Sequence, residues 1–250
     1  MELNFAKYHG AGNDFILLDG RSSNIHLTQT QIERLCHRRF GIGADGLMIL
    51  GNAPQEGLDF SMDFYNSDGK SGSMCGNGGR CIVKFADDIG VGGTDKTFLA
   101  SDGVHTARVE ENGEISLGMI DVERVLTIDE GYFLDSGSPH VVVVERYNQD
   151  AARRLRQRYD SNVNYIELEG DEIKISTFER GVEDMTWACG TGAVASAIVA
   201  SIIEHRRGDV EYHLRPVGGQ LSVSFTESGG KYQGIVLRGG AERTFSGVSF

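Results

Sequence analysis

Short segments of alternating apolar and polar residues recur along the chain and predict a protein built largely from strands. Clusters of glycine, asparagine and aspartate separate these segments and favour turns. Asp102-Gly103 and Asn112-Gly113 are dipeptides typical of hairpin turns. The predicted strands are residues 3–8, 15–18, 47–50, 59–65, 98–99, 105–110, 115–119, 132–134, 141–145, 164–168, 173–178, 212–215, 220–225, 232–237 and 244–250.

Other segments have the spacing of apolar residues that is typical of helices. Residues 28–39 form a predicted helix for which Thr28 or Thr30 can act as the N-cap. Residues 149–159 form another, with arginines on a solvated face. Residues 193–204 are apolar almost all round, which indicates a central helix covered by strands. Strands and helices together predict an α/β protein of the α+β type.

Composition and charge exclude several classes of protein. The chain has 250 residues, of which 40% are hydrophobic, enough for a packed core in one large domain or two smaller ones. Its net charge of −12, with no basic run, argues against nucleic acid or an anionic membrane as the partner. The N-terminus lacks the features of a signal peptide, and no apolar run approaches the roughly 18 residues of a membrane span. We therefore expect a globular cytoplasmic protein.

The four cysteines follow no disulfide or metal pattern. Cys36, Cys75, Cys81 and Cys189 form no Cys-x-x-Cys pair and have no zinc-ligand spacing. Reduced thiols are therefore expected, and a metal site is not. We interpret Cys36 and Cys81 as inert buried thiols.

One cysteine lies in an unusually glycine-rich stretch, FYNSDGKSGSMCGNGGRC. It places Cys75 in a predicted loop before a helix that runs from Cys81 to about Gly90. A thiol at a helix N-terminus lies at the positive end of the helix dipole, which lowers its pKa by about one unit or more. Such a thiolate is a candidate base or nucleophile. Taken alone, however, a cysteine is more often a small buried apolar residue.

A second turn of the same kind weakens that simpler interpretation. In TWACGTGA, Cys189-Gly-Thr-Gly repeats Cys75-Gly-Asn-Gly, and an apolar helical run follows again. The repetition predicts two related halves. If the halves face each other, their helix N-termini supply backbone donors for a substrate carboxylate, with one thiol on each side. A thiolate could then remove a proton from a carbon while the other thiol returns one to the opposite face.

Several motifs together resemble the diaminopimelate epimerase family. They are KYHGAGNDF, FYNSDG, MCGNGGRC, GSPHVV, NVNYIEL, ERGVEDMTWACGTGA and GGAERTFSG. The resemblance extends over about residues 7–247. It implies two pseudo-symmetric domains, each a curved, mostly antiparallel sheet or barrel around a central helix. The implied domains are residues 1–118, completed by a strand at residues 240–250, and residues 119–239.

The resemblance also implies an activity. Members of the family interconvert LL-2,6-diaminopimelate and meso-diaminopimelate for lysine and peptidoglycan synthesis, without pyridoxal phosphate, a metal or another cofactor. The expected partner is a small amino-acid substrate over which the domains close, not nucleic acid or a membrane, and a homodimer is left open. Two alternatives remain: a related cofactor-independent racemase for another amino acid, and a non-catalytic amino-acid binding protein on the same scaffold.

The resemblance assigns roles to residues that match the family's motifs. Cys75 and Cys189 correspond to the acid–base pair, and the configuration of the substrate decides which of them removes the proton. The residues implied to bind the reacting carboxylate and amine are Gly76, Asn77, Gly190 and Thr191. The residues implied to bind the distal amino-acid centre are Asn13, Asn66, Asn164, Glu179 and Arg180.

Simpler interpretations exist for some of these residues. Each asparagine taken alone is typical of a turn, and Glu179 and Arg180 could be a surface pair. His140 could orient the site or simply pack in its turn. Ser138 stands where the family usually has a substrate-contacting asparagine, so that an amide contact would become a hydroxyl contact, which can still donate and accept. This difference keeps a racemase for another amino acid open.

Overall fold

The computed structural model describes residues 2–23, 25–72, 74–170 and 172–249. Over these residues the chain has the predicted α+β fold, with a large mixed sheet and four helices. The structure divides into two compact units, residues 1–117 with 240–250, and residues 118–239. None of the helices in the described ranges is long and apolar enough to cross a membrane.

The elements are numbered in chain order. The helices are α1 (Gln29–Cys36), α2 (Gly76–Asp88), α3 (Gln149–Tyr159) and α4 (Gly190–Ile203). The strands are β1 (Leu3–Gly10), β2 (Asn13–Asp19), β3 (Gly46–Asn52), β4 (Phe60–Asn66), β5 (Asp95–Ala100), β6 (Gly103–Val109), β7 (Ile115–Gly118), β8 (Val125–Ile128), β9 (Gly131–Asp135), β10 (Pro139–Val143), β11 (Asn162–Glu169), β12 (Glu172–Glu179), β13 (Asp184–Thr186), β14 (Gly208–Arg215), β15 (Leu221–Ser228), β16 (Lys231–Gly239) and β17 (Glu242–Ser249).

The two units repeat one order of strands. Neighbouring strands run β17-β1-β2-β3-β4-β5-β6-β7 in the first unit and β8-β9-β10-β11-β12-β14-β15-β16 in the second. The parallel pairs fall at matching places: β2–β3 and β4–β5 in the first series, β10–β11 and β12–β14 in the second. A helix joins the two strands of each parallel pair, because such a connection needs a crossover. The repeat seen in the cysteine turns is therefore also a repeat of topology.

A central helix carries the core of the second unit. Residues 193–201 of α4 are buried on every side, because their side chains are all apolar or small. They pack against apolar side chains of β9 to β12 and of β14 to β16. In the first unit α2 is similarly enclosed, with residues 76–83 buried.

The outer helices α1 and α3 pack on strands that are covered on both faces. Val141 and Val143 of β10 pack with α3, whereas Val142 between them packs with α4. In β3, Leu47 and Ile49 pack with α1. Because both faces of these strands are buried, their sequences are continuous apolar runs rather than alternating ones.

The first predicted helix is shorter than its pattern suggests. Thr28 is the N-cap of α1, through a capping box. The helix ends at Cys36 rather than at residue 39, so the predicted end is wrong. His37 adopts an extended conformation, and its Nδ1 accepts the backbone N–H groups of Arg39 and Phe40. These side-chain contacts replace the helical hydrogen bonds that the pattern implied. The bounds of α3 are as predicted.

Both cysteine turns are already helical. Helix α2 begins at Gly76 and α4 at Gly190, so the predicted loop over residues 75–80 and the predicted helix start at residue 193 are wrong. Glycine has a low helix propensity, which is why the pattern favours loops here. Tertiary packing overrides that propensity, since a Cβ on Gly79 would lie 2.2 Å from a methionine Cε.

Asn13 is the first residue of β2, so its predicted loop position is wrong. It pairs with Gly10 across a tight turn made by Ala11 and Gly12, whose φ values are 51° and 82°. The hairpin therefore begins earlier than the apolar pattern indicates. Asn13 therefore lies at the end of the strand, next to this turn.

Other differences concern strands. Strands β8 and β13 are absent from the predicted set, and both are short, with four and three residues. Strand β14 begins at Gly208, earlier than the predicted residue 212. The predicted last strand includes Phe250, which lies outside the described residues.

Candidate active site

Each unit has one cysteine at the N-terminus of its central helix. Cys75 is the N-cap of α2 and Cys189 the N-cap of α4, with φ/ψ values of −115°/128° and −126°/117°. The hydrogen-bond ladder starts at the cysteine carbonyl in both: Gly79 N donates to Cys75 O at 2.7 Å, and Ala193 N to Cys189 O at 2.9 Å. The N–H groups of the residues between precede this ladder and are suited to bind an anion. The two turns are thus equivalent in backbone structure.

Asn13 and Asn77 lie beside Cys75 in the first unit. The Sγ of Cys75 is 3.8 Å from Asn13 Oδ1, and Asn77 Nδ2 donates to the same oxygen at 3.4 Å. Asn13 Nδ2 donates to Asp45 Oδ2 at 2.7 Å. Because an ionised carboxylate can only accept, Asp45 fixes the orientation of the Asn13 carboxamide. Asn13 therefore presents its oxygen, not its nitrogen, to the cysteine.

Asp45 belongs to a cluster of four charged side chains. Its Oδ1 accepts from Arg38 Nη2 at 2.7 Å, and Arg38 also donates to both oxygens of Asp14, at 2.7 and 3.0 Å. Lys7 Nζ lies 2.5 Å from Asp14 Oδ2 and contacts the carbonyl of Gly43. Burial alone would raise the pKa of Asp14, but hydrogen bonds from Arg38 and Lys7 hold it far below its usual range. The formal charges of the cluster sum to zero.

Arg80 lies wholly inside the first unit, with 0% of its surface exposed. Its Nη1 donates to the carbonyl of Gly76 at 3.2 Å and its Nη2 to Asn77 Oδ1 at 2.8 Å. Its Nε lies 3.5 Å from the carbonyl of Gly240. Arg80 therefore holds the first turn of α2 and orients the Asn77 carboxamide, whose Nδ2 faces Asn13.

Thr191 has the place in the second unit that Asn77 has in the first, two residues after the cysteine. Its Oγ1 lies 3.5 Å from Cys189 Sγ, 2.9 Å from His140 Nε2 and 3.1 Å from Ser138 Oγ. Its backbone carbonyl accepts from Ser136 Oγ at 2.8 Å. Side chain and backbone of this turn are thus held by β10 and by the loop before it.

The tautomer of His140, which is fully buried beside Thr191, follows from its partners. Asn164 Nδ2 lies 2.8 Å from His140 Nδ1 and donates to Val141 O at 3.4 Å, whereas Asn164 Oδ1 accepts from Thr177 Oγ1 at 2.8 Å. The amide nitrogen therefore faces the ring, so Nδ1 of His140 accepts. The proton is on Nε2, which points to Thr191.

His140 is a neutral group at physiological pH. Burial lowers the pKa of His140 to about 3, and the positive charge of Arg180 acts in the same direction. A neutral imidazole accepts at one nitrogen and donates at the other, which matches the two partners in place. The two interpretations of His140 offered by the sequence are therefore compatible, since the ring packs beneath the turn and also orients Thr191.

Asn162 connects Ser138 to Arg180. Its Nδ2 donates to Ser138 Oγ at 3.2 Å and to Pro139 O at 3.3 Å, and its Oδ1 accepts from the backbone N–H of Arg180 at 2.9 Å. Ser138 Oγ also lies 3.0 Å from His140 Nε2. The Ser138 hydroxyl is thus part of the hydrogen-bond network around the second cysteine turn.

The other residues implied to bind the distal centre have different surroundings. Arg180 is exposed, and its Nη1 lies 3.1 Å from Asp160 O and 3.5 Å from Asp160 Oδ2. Glu179 Oε2 accepts from Thr186 Oγ1 at 2.8 Å. In these contacts Arg180 bonds to Asp160 and Glu179 to Thr186, whereas the sequence suggested that the two residues pair with each other. Asn66 is exposed at the end of β4.

Cys36 and Cys81 are buried free thiols, as predicted. Burial raises the pKa of Cys36 to about 11. Burial also raises the pKa of Cys81 well above its ordinary value. Both side chains therefore stay protonated at physiological pH and are unsuited to acid–base chemistry.

The sequence pattern does not single out several residues that support the two turns: Asp45, Arg80, Asn162 and Thr177. Arg80 carries the clearest signal, since it is the one charged side chain in the stretch MCGNGGRC. Asp45, Asn162 and Thr177 lie in or beside strands, and residue type alone does not distinguish them from other polar residues there. Only their contacts reveal what they do.

Solved structures share the fold of this chain. A phenazine biosynthesis protein of the PhzF family from Bacillus anthracis has a TM-score of 0.79 at 13% identity, covering 100% of this chain and 99% of that one. A hydroxyproline epimerase from Agrobacterium vitis, with bound trans-4-hydroxy-L-proline, has a TM-score of 0.67 at 12% identity, covering 99% and 91%. At these identities the likeness establishes a common fold.

Sequence comparison identifies the family. The family model described as diaminopimelate epimerase matches residues 5–125. The diaminopimelate epimerase of Flavobacterium psychrophilum is 42% identical, covering 96% of this chain and 97% of that protein. That of Chlorobaculum tepidum is 39% identical, covering 96% and 98%. The chain belongs to the diaminopimelate epimerase family.

Proposed function

We propose that this protein interconverts LL-2,6-diaminopimelate and meso-diaminopimelate, with Cys75 and Cys189 as the acid–base pair. The observation that carries the proposal is the equivalence of the two cysteine turns. Each thiol is the N-cap of the central helix in one of two units with the same topology. The family to which the chain belongs supports the choice of substrate.

The reaction replaces one proton at a single carbon with another. A thiolate takes the α-proton of the substrate, and the thiol of the other cysteine gives a proton to the opposite face, which inverts the configuration. The first cysteine ends as a thiol and the second as a thiolate, so the reverse reaction exchanges their roles. A thiol with an ordinary pKa of about 8.5 is suited to this exchange, because both protonation states are accessible near neutral pH. The two thiols are the only acid–base groups that the scheme uses.

The carboxylate next to the reacting carbon needs stabilisation, because the α-proton is a far weaker acid than a thiol. The backbone N–H groups after each cysteine, at Gly76, Asn77, Gly190 and Thr191, are the donors that we assign to it. A donor held in place before the reaction is worth about 3 kcal/mol of transition-state stabilisation in comparable sites. Two helix N-termini add their partial positive charge.

Recognition of the distal amino-acid centre is assigned to polar side chains of both units. Arg180 is exposed and can exchange Asp160 for a substrate carboxylate, which suits its bidentate geometry. Glu179 and Asn66 are assigned to the distal ammonium and carboxylate, and Asn13 and Ser138 complete the set. Asn164 is buried with both polar atoms of its side chain hydrogen-bonded within the protein, so we assign it a supporting role through His140.

Proton NMR of LL-diaminopimelate with the reduced protein in D₂O tests the proposal. Loss of the α-proton signal together with formation of the meso isomer is the expected result. The same spectra recorded with other amino acids test the alternative racemase, for which Ser138 is the specific observation. Binding of LL-diaminopimelate with no deuterium at its α-carbon, in folded and reduced protein, would contradict the proposal and favour a binding protein.

A further inference from the structure

Arg80 is a buried cation whose hydrogen-bond acceptors are all uncharged. Its side chain is 0% exposed, and its acceptors within the described chain are the carbonyls of Gly76 and Gly240 and the carboxamide of Asn77. A buried charge is costly unless it is compensated, and proteins usually pair such charges. Burial accordingly lowers the pKa of Arg80. A negative charge formed nearby would therefore be stabilised strongly.

Three ionisable groups act electrostatically on Arg80, and they are Cys81, Cys75 and Glu114. Cys81 is 0% exposed, and burial raises its pKa well above the ordinary value, so it stays neutral. Glu114 accepts from Asn112 Nδ2 in the turn before β7 and takes no part in the proposed proton transfer. Cys75 is thus the group whose ionisation Arg80 is best placed to balance.

Hydrogen bonds connect Arg80 to Cys75 through Asn77 and Asn13. Gly76, whose carbonyl Arg80 binds, directly follows Cys75. Asn77, whose carboxamide Arg80 holds, donates to Asn13 Oδ1, and that oxygen lies 3.8 Å from Cys75 Sγ. The guanidinium is shielded from water. In the protein interior a charge acts more strongly over a given distance than it does at the surface.

We propose that Arg80 is a positioning residue of the first cysteine turn. It fixes Gly76 and Asn77, and its buried positive charge stabilises the Cys75 thiolate formed during turnover. The inference rests on the proposed role of Cys75 as acid and base. Asn13 Oδ1 accepts from the protonated thiol, and Arg80 balances the ionised one, so fixed groups stabilise both states.

The buried charge of Arg80 has no counterpart at the equivalent position of the second unit. Val194 follows Cys189 at the spacing at which Arg80 follows Cys75, and it is buried in the core of the second unit. The side chains in contact with Thr191 in that unit are Ser138 and His140, which are neutral, and Arg180, whose positive charge acts on His140, is exposed rather than buried. Removal of the Arg80 charge should therefore change the ionisation of Cys75 and leave that of Cys189 unchanged.

The test is the pH dependence of alkylation by iodoacetamide in proteins that keep one of the two cysteines. Cys36 and Cys81 are 3% and 0% exposed, so the reagent reports on the cysteine that remains, as mass spectrometry can verify. In the Cys189→Ala protein, Arg80→Met should slow alkylation of Cys75 at pH 7 by about tenfold, because the thiolate is the nucleophile. Arg80→Lys keeps the charge and should slow it much less.

The matched control is the Cys75→Ala protein, in which Arg80→Met should leave the alkylation profile of Cys189 unchanged. Circular dichroism confirms that each variant is folded. An unchanged Cys75 profile in folded Arg80→Met protein, or an equal change at both cysteines, overturns the proposal.

A second measurement leaves Arg80 in place and decides the matter if Arg80→Met does not fold. The two single-alanine proteins are compared, and the midpoint of the Cys75 profile should lie at lower pH than that of Cys189. The opposite order contradicts the proposal. Alkylation needs no substrate, so failure of the proposed function, seen as absent exchange in the unaltered protein, is distinguishable from failure of this inference.

Discussion

The two cysteine turns have the same backbone structure but are supported by side chains of opposite kinds. Strand register and spacing from the cysteines define the equivalent positions, which are Phe15 and His140, Met48 and Asn164, Phe64 and Thr177, and Arg80 and Val194. In the first unit the sheet beneath the turn is apolar and the helix carries a buried cation. In the second unit the sheet is polar and the helix is apolar.

The contacts on each side show how the exchange works. The rings of Phe15 and Phe64 meet edge to face, with centroids 6.0 Å apart, and the polar contacts of the first turn come from Arg80 and from Asn13 at the end of β2. In the second unit a neutral chain of hydrogen bonds from Asn164 through His140 reaches Thr191. One backbone can thus be held by a charge from within the helix or by neutral groups from the sheet. The consequence is that two similar thiols have different electrostatic surroundings.

The largest expected effect tests whether the two halves are chemically equal. Cys75→Ala and Cys189→Ala should each lower kcat for epimerisation by about 10³-fold, because each removes one acid–base group. Steady-state kinetics in both directions measures this. Cys36→Ala, which changes a buried thiol at the C-terminal end of α1, is the control and should keep kcat. Rapid turnover in either active-site variant would mean that the two halves differ in chemistry and not only in support.

A matched pair of glycines should differ in stability. Gly78→Ala places a Cβ 2.9 Å from Met48 Cε, a flexible chain end that can move, whereas Gly192→Ala places one 2.5 Å from Asn164 Oδ1, which is held by Thr177. Alanine gains about 1 kcal/mol over glycine inside a helix, so Gly78→Ala should be nearly neutral.

Gly192→Ala should instead lower the free energy of unfolding by about 2 kcal/mol, because it forces the buried asparagine from its partners. Denaturant unfolding of both variants measures the difference. Equal losses of unfolding free energy would show that Asn164 in the second unit adapts to an added methyl group as readily as Met48 does in the first.

The buried imidazole should make stability depend on pH. Because burial lowers the pKa of His140 to about 3, the unfolded chain takes up a proton below its ordinary pKa of about 6.5 and the folded chain does not. Stability should therefore fall as pH falls from about 6.5 towards 3, by at most about 1.4 kcal/mol for each pH unit from this group.

Unfolding free energies of the wild-type protein and of His140→Gln, measured between pH 7 and pH 5, test that expectation. The variant lacks the titrating group. Its free energy of unfolding relative to that of the wild type should therefore increase as pH falls. A constant difference over this range would show that His140 titrates normally and is not held neutral.

The smallest expected effect concerns the Asn13 carboxamide. Asp45→Ala removes the acceptor that orients it, at the cost of one hydrogen bond to a charged group, and should lower kcat by about tenfold. Asp19→Ala, which removes the Arg21 partner at the far end of the same strand, is the matched control and should keep kcat. Unchanged kcat in Asp45→Ala would mean that Asn13 needs no fixed orientation.

Local pattern was sufficient for much of the fold. The bounds of α3, the buried character of α4 and most strands follow from the spacing of apolar residues, which depends on nearest neighbours along the chain. The C-terminal end of α1 and the glycine starts of α2 and α4 do not, because they depend on side-chain contacts and close packing that the pattern does not contain. For the same reason Asn13 is a strand residue although its neighbours resemble a turn.

By itself the sequence determined the two cysteine turns, their repetition and the family, since each rests on residue identity at a short spacing. Only the tertiary structure decided what surrounds those turns. The tautomer of His140 depends on Asn164 and, through it, on Thr177 of another strand, and the charge beside Cys75 depends on burial of Arg80. Burial and orientation of a polar group are properties of several distant segments at once, so no single stretch of sequence specifies them.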